Sequence, residues 1–183
     1  GGILADEILT PGKEQVSTLF VTGGNPLMTM PNAERLRSAF KKLKLLVVTD
    51  IYLNETASLA DYVLPATSPL ERPDLPFVFP LFLGLQSIPY LAATEAVLAP
   101  PGETRDEATI YTQLASASGV GLFGSKLVQR VLSGLTWLGS LRGRGFPQRW
   151  LLNRILKFNK APGFQELLDH PDGYPMASTK PGS

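Results

Sequence analysis

Ser17-Thr18-Leu19-Phe20-Val21-Thr22-Gly23-Gly24-Asn25-Pro26, followed by Leu45-Leu46-Val47-Val48-Thr49-Asp50, decides the fold. Each stretch begins as a short apolar, β-branched run, the pattern of a strand buried on both faces of a parallel sheet. The first run stops at a glycine pair and the second at a carboxylate. Between them, Pro31-Asn32 opens a helical pattern from about Ala33 to Lys42. Ala33, Leu36, Ala39, Phe40 and Leu43 recur there at helical spacing, while Arg35, Arg37, Lys41 and Lys42 fall mostly elsewhere. Strand, glycine turn, helix and strand make a βαβ unit, whose crossover is expected to be right-handed.

Working outward, Asn54-Glu55-Thr56 reads as the start of a short helix. Asp61-Tyr62-Val63-Leu64-Pro65 reads as a third short strand closed by its proline. Proline is frequent from Pro69 to Pro101, and only Glu95-Ala96-Val97-Leu98 is expected to be extended there. Residues Leu75 to Ala93 carry no charge and approach the length of a membrane span, but Pro76, Pro80 and Pro89 would break such a helix. That run is therefore expected to be buried and loop-rich, and no transmembrane segment is expected. After the Pro100-Pro101-Gly102-Glu103 turn, a helix is predicted from Glu103 to about Ser118, with Ile110 and Leu114 on one face. Ser125 to Leu141 and Pro147 to Phe158 are further helical patterns, the first with Leu127, Val131, Leu135 and Leu138 along one stripe. Arg142-Gly143-Arg144-Gly145 between them reads as a solvated, flexible connection.

Composition narrows the chemistry. The chain has 183 residues, 44% of them hydrophobic and 18% charged, enough to bury a core. Lys plus Arg is 17 and Asp plus Glu 16, a formal net charge of +1, so no nucleic-acid partner is expected. No cysteine is present, which excludes disulfides, iron–sulfur ligation and thiolate zinc sites within these residues. With His170 as the single histidine, a multi-histidine metal site is excluded as well. The opening residues lack the basic and apolar regions of a signal peptide, and the expected compartment is the cytoplasm.

The loop after the first strand of a βαβ unit lies at the carboxyl edge of the sheet. Backbone N–H groups and the next helix N-terminus favour anions such as a diphosphate there. Gly23 and Gly24 allow a tight turn and close backbone approach, Asn25 donates and accepts, and Thr29 adds a hydroxyl. A tight strand-to-helix turn without a ligand accounts for the glycine pair equally well. Asp50, at the end of the second strand, stands where doubly wound folds read a sugar or a base. Its carboxylate could accept from a ribose diol or from the paired donors of guanine, which adenine lacks; a turn-capping aspartate is the alternative.

Gly23-Gly24-Asn25-Pro26, Val47-Val48-Thr49-Asp50, the run Glu55-Thr56-Ala57-Ser58-Leu59-Ala60-Asp61-Tyr62-Val63-Leu64-Pro65-Ala66, Glu71-Arg72, and Pro100-Pro101-Gly102-Glu103-Thr104-Arg105-Asp106-Glu107 occur in that order. Together they resemble the molybdopterin oxidoreductases, the large family of dimethyl sulfoxide reductases, formate dehydrogenases and nitrate reductases. The likeness covers about Ile8 to Gly119 and only loosely the helical last third. It implies an α/β fold: a doubly wound, mostly parallel Rossmann-like sheet with helices on both faces, plus a helical C-terminal extension. It further implies that the strand ends hold one molybdopterin guanine dinucleotide of a molybdenum or tungsten cofactor. By that resemblance Gly23, Gly24, Asn25, Pro26 and Thr29 face the diphosphate or sugar, and Thr49 and Asp50 the guanosine end. Arg72 stands where the family often carries a cation near the cofactor. Glu107 stands where many members have an aspartate near the pterin, and adjacent Asp106 could substitute for it. Asp61 is read as architectural, a buried turn or cap.

The expected organisation is a cofactor-binding region at residues 1–119, a helical extension at 120–169 and a tail at 170–183 leading toward a closing domain. Metal ligands and an iron–sulfur cluster are expected only in an upstream region outside this sequence. The chain is thus read as a non-catalytic part of a larger oxidoreductase, with that enzyme's other domains and electron-transfer subunits as partners. Two alternatives remain open. One is a molybdenum-free scaffold resembling the large iron–sulfur subunit of respiratory complex I; the other is a free-standing nucleotide-binding module. The apolar stretch from Val120 to Phe158 is expected to need a partner surface.

Overall fold

The computed structural model describes residues 3–75, 90–121, 124–141 and 146–175. The chain forms two compact units, one of residues 1–66 with 102–105, the other of residues 67–101 with 106–183. The class is mixed α/β, with a parallel sheet and a helical C-terminal part.

In the first unit, β1 (Thr18–Thr22), β2 (Leu45–Asp50) and β3 (Tyr62–Pro65) are parallel in the order β1-β2-β3 among the described residues. The register sets Val21 against Val48 and Thr22 against Thr49, so β1 and β2 reach the same carboxyl edge together. β2 is central, and Leu46, Val47, Val48 and Thr49 are all buried, which is why its run is apolar throughout without alternation. On one face, Val21, Leu46 and Val48 pack with residues of α1 (Leu4–Leu9) and α3 (Ala33–Phe40). Ala5 and Ile8 come from α1, and Leu36, Ala39 and Phe40 from α3. Asn32 caps α3 by accepting from the Arg35 N–H, and Arg35 also pairs with Asp6 of α1.

β3 is placed by Asp61. Its Oδ2 accepts from the Leu46 N–H at 2.7 Å, and its own N–H donates to the Leu46 carbonyl at 2.9 Å. The side chain does the backbone task expected of it, although the residue is exposed and not buried. Beyond β3, the Arg105 N–H donates to the Pro65 carbonyl at 3.1 Å, and Ala66 and Arg105 form a parallel bridge. A short helical turn at Ala57–Leu59 follows Asn54, whose Oδ1 accepts from the Ala57 N–H.

The second unit is mainly helical. α4 (Glu107–Ala117) starts four residues later than its sequence pattern suggests. Asp106 sets that start: its Oδ1 accepts from the Thr109 N–H and its Oδ2 from the Thr109 hydroxyl. α5 (Lys126–Ser140) packs on α4, and α6 (Gln148–Phe158) on α7 (Phe164–Leu168). Leu75, Leu152, Leu156, Phe164 and Leu167 form the core here. Tyr90–Leu91 (β4) pairs antiparallel with Tyr174–Pro175 (β5). Gly173 precedes β5 with φ +93°, and a Cβ there would press on the Tyr90 ring.

One expectation is corrected. Glu95 to Leu98, expected to be extended, joins no strand: the N–H groups of Val97 and Leu98 both donate to the Leu70 carbonyl, and the chain bends at Leu98. The stripe on α5, expected to need a partner surface, faces outward. Leu127, Val131 and Leu138 are exposed, whereas Gln129 and Thr136 are buried. Gln129 Nε2 donates to the Thr112 carbonyl of α4 at 3.0 Å, so α5 is seated by its polar side. Most of the uncharged run from Leu75 to Ala93, the Arg142–Gly145 connection and the tail beyond Pro175 lie outside the described residues. Among the described residues no helix is long and apolar enough to cross a membrane.

Candidate functional site

The parallel register brings the two stretches singled out, Gly23 to Pro26 after β1 and Thr49-Asp50 at the end of β2, to one sheet edge. Gly23, just past β1, has φ +57°, a conformation open to glycine and costly for a residue with a Cβ. Its N–H donates to the Thr49 carbonyl at 2.9 Å, tying the glycine loop to the end of β2 beyond the strand ladder. Gly24 has an ordinary backbone, and a Cβ there would meet nothing closer than the Thr22 carbonyl oxygen at 3.9 Å. Pro26 opens the short helix α2 (Pro26–Thr29), where its missing N–H costs nothing. The Thr29 hydroxyl turns back to donate to the Asn25 carbonyl at 3.1 Å.

Asn25 is held from both ends of its amide. Its Nδ2 donates to Glu55 Oε2 at 2.5 Å, and its Oδ1 accepts from the Thr56 hydroxyl at 2.8 Å. Thr56, fully buried, also accepts from the Leu27 N–H at 3.2 Å. One threonine thus fixes both the Asn25 rotamer and the start of α2. In the sequence Thr56 stands at a helix start and within the run that carries the family resemblance. No local pattern marks it, since its partners lie about thirty residues away.

The Asn25 amide holds the Glu55 carboxyl below its ordinary value of 4.5, with the Glu55 backbone N–H and the Arg37 charge acting in the same direction against desolvation. A depressed carboxylate contributes its interaction above the unfolded value and loses it as pH falls through the folded one. The Asn25 side-chain amide signals should therefore stay constant from neutral pH to about 4.5 and move only below it. Nuclear magnetic resonance titration of those signals checks this, and Glu55→Gln should abolish the step.

Asp50 is engaged locally. Oδ1 accepts from the Tyr52 N–H at 3.0 Å and Oδ2 from Asn54 Nδ2 at 2.9 Å. An ionised carboxylate has about four acceptor positions, so roughly two remain for a ligand. Thr49 is buried in the centre of the sheet.

Arg72 and Glu107 belong to the second unit, and the structure brings these two together. Arg72 Nη1 lies 3.9 Å from Glu107 Oε2 and donates to the Thr67 carbonyl at 3.0 Å. Nη2 and Nε both reach Asp74 Oδ2, at 3.3 and 3.4 Å. The guanidinium side chain is 18% exposed, so its fork is mostly shielded from water. The Thr67 hydroxyl beside this cluster is buried without a hydrogen-bond partner among the described residues. A buried hydroxyl left unpaired costs about 1–3 kcal/mol, which a polar ligand would relieve. Together with the Arg72 donors, it suits an anionic or carbonyl-rich group such as a phosphate or a pterin. Asp106, the substitute considered for Glu107, has both carboxylate oxygens on Thr109.

Comparison with known proteins gives these positions a context. Residues 4–117 match the family model for molybdopterin oxidoreductase. The chain is 32% identical over 120 residues to a formate dehydrogenase alpha subunit of Methanocaldococcus jannaschii, covering 66% of this chain and 17% of that one. It is 30% identical over 128 residues to trimethylamine-N-oxide reductase of Haemophilus influenzae, covering 64% and 15%. Among solved structures, acetylene hydratase from Pelobacter acetylenicus superposes with a TM-score of 0.54 at 30% identity, covering 64% of this chain and 15% of that chain. The chain thus spans less than a fifth of the length of these relatives.

Proposed function

Because the chain belongs to the molybdopterin oxidoreductase family, we propose that it cradles one guanine dinucleotide arm of a molybdenum or tungsten bis-molybdopterin cofactor within a larger enzyme. The family match spans both candidate clusters, and the relatives named for their reactions are mostly oxidoreductases. The observation that carries the reading is the shared carboxyl edge of β1 and β2. The Gly23 turn and the clamped Asn25 follow β1 and the Asp50 carboxylate ends β2, and the carboxyl ends of strands are where open α/β sheets commonly take nucleotides, which supports the reading.

In this reading the Gly23–Gly24 backbone and Thr29 approach the diphosphate, and Asp50 accepts from the N1–H and N2 amino group of guanine. Arg72, with Glu107 beside it, meets a phosphate or a pterin carbonyl, and the Thr67 hydroxyl gains its missing partner. When bound, the metal dithiolene supplies the chemistry, and the protein supplies binding and orientation. The metal's protein ligand, any iron–sulfur cluster and the substrate funnel would come from other parts of the enzyme, so these residues alone would be inactive. Electron-transfer subunits would dock on the assembled enzyme.

Titration with GDP and ADP, of the chain and of its Asp50→Asn variant, tests the base assignment. Asp50→Asn should weaken GDP by roughly tenfold or more, the worth of a charge-assisted hydrogen bond of about 1.5–3 kcal/mol, and leave ADP nearly unchanged. Because Asp50 also holds Tyr52 and Asn54, a purely structural loss would weaken both nucleotides alike and sink the guanine reading. Absence of GDP binding to the unaltered chain would instead favour the molybdenum-free scaffold.

A further inference from the structure

From Ala108 to Gln165 the sequence holds eight Lys and Arg residues, four from Lys126 to Arg144 and four from Arg149 to Lys160, and no Asp or Glu. In a chain of 17 basic and 16 acidic residues, this is a strong local segregation of charge. Both tryptophans of the protein, Trp137 and Trp150, lie in the same stretch, and both are exposed.

α5 gives the segregation a shape. Its buried side chains include Gln129, which donates to the Thr112 carbonyl of α4, and Thr136, whose hydroxyl donates to the Leu132 carbonyl, so the helix spends polar side chains on packing. At 100° per residue, Leu127, Val131, Leu138 and Leu141 fall in one sector, and all four are exposed, Leu127 by 71%. Lys126, Arg130 and Trp137 border that sector on one side. Burial of polar groups with exposure of leucines is the wrong way round for a helix meant to face water. An apolar sector rimmed by Lys, Arg and Trp is instead the arrangement of a helix lying in a membrane interface. α6 repeats the elements: Trp150, Arg154 and Phe158 recur at four-residue spacing, with Arg154 over the Trp150 ring and Phe158 88% exposed. Its opposite side, through Leu152 and Leu156, is spent on the core of its unit.

We propose that the apolar sector of α5, with its border of Lys126, Arg130 and Trp137, docks on an anionic lipid surface. Charge complementarity selects the occupant. A neighbouring protein domain would need only the leucines, whereas Lys126 and Arg130, on a stretch of sequence without a carboxylate, suit phosphodiester headgroups; Arg149, outside that border, is already paired with Glu95. α5 is 15 residues long and lies among residues where no helix can cross a membrane, so it would rest in the interface and not span it. The inference is independent of the cofactor reading.

The test uses the 183-residue chain carrying Trp150→Phe, so that Trp137 is the single tryptophan reporter. The chain is mixed with vesicles of phosphatidylcholine alone, or of phosphatidylcholine and phosphatidylglycerol in equal parts. Co-sedimentation with the anionic vesicles and a blue shift of Trp137 emission are expected, both reduced by added salt. Leu127→Asp with Leu138→Asp should weaken this binding roughly tenfold or more, as should Lys126→Glu with Arg130→Glu. These side chains are exposed, so circular dichroism should be unchanged. Leu98→Asp, exposed elsewhere in the same unit, should bind as the parent does. Equal binding to neutral vesicles, or equal damage from Leu98→Asp, would mean general stickiness and overturn the proposal. If the face docks on protein instead, the chain will stay in the supernatant with both kinds of vesicle and Trp137 emission will not move, which overturns it as well.

Discussion

Phe40→Ala should leave the first unit largely unfolded at room temperature. Phe40 is 3% exposed and packs among buried residues of α1, α3 and the sheet, including Ile8, Leu36, Leu46 and Val48. Truncating a buried phenylalanine costs about 3–5 kcal/mol, the lost transfer energy plus the cavity. A unit of this size holds about 3–10 kcal/mol in all, so the loss is comparable to its whole stability. Hydrogen exchange should show amide protection collapsing across β1 and β2 together. Phe20→Ala is the control: Phe20 sits on the other face of β1, is half exposed, and should cost less than about 1 kcal/mol. If both variants keep the protection of the parent chain, the core has been assigned to the wrong face.

The second large effect is expected at Arg72. Arg72→Ala removes the donor that holds the Thr67 carbonyl and leaves the Asp74 and Glu107 carboxylates without their shared cation. Breaking a buried pair by removing one partner costs about 3–5 kcal/mol. Asp74 is 30% and Glu107 39% exposed, so water screens them and about 2 kcal/mol is the better figure. Arg72→Lys restores the charge but not the planar fork, and should recover only part of the stability. In the full enzyme the same series should order cofactor content as arginine, then lysine, then alanine. The alanine form should retain roughly tenfold less or worse, if one charge-assisted contact is lost. Pterin and metal content of the purified variants, set beside their denaturation midpoints, separates lost binding from lost folding. Equal cofactor content in all three would remove Arg72 from the site.

Much of the first unit was legible because its signals are local. The runs ending at Thr22 and Asp50 both form strands, but only central β2 is buried on both faces; β1 buries Val21 and leaves Thr18, Phe20 and Thr22 exposed. α3 announces itself by spacing and by Asn32. What escaped the reading depends on partners distant in sequence. The start of α4 turned on which of several polar residues would cap it, and Asp106 does so four residues beyond the glycine turn. The segment Glu95–Leu98 has the composition of a strand, but a strand requires an adjacent strand, and these N–H groups meet the Leu70 carbonyl instead. On α5, periodicity showed that the helix is two-sided without saying which side would find a partner. The clamp of Thr56 on Asn25 and the approach of Arg72 to Glu107 join residues about thirty apart, and neither threonine nor arginine carries a mark of such an engagement. Candidate residues could therefore be named one at a time, while the clusters they form came only with the coordinates.

The bridge between Ala66 and Arg105 bears on how the chain is made. Residues 102–105 complete the first unit, yet they follow a long excursion into the second. During synthesis β1, β2 and β3 emerge early and can pair, but the carboxyl end of β3, at Pro65 and Ala66, lacks its partner until Arg105 has left the ribosome. Bare strand edges recruit other chains. Closing the loop from Ala66 to Arg105 also costs about 3 kcal/mol of chain entropy beyond its constant part, a cost met only after the intervening residues exist. The nascent chain thus passes through an interval with its sheet formed and the end of its third strand unpaired. Shortening that interval, by moving codons or by supplying the 102–105 segment in trans as a peptide, should raise soluble yield more than any gain in the stability of the finished fold.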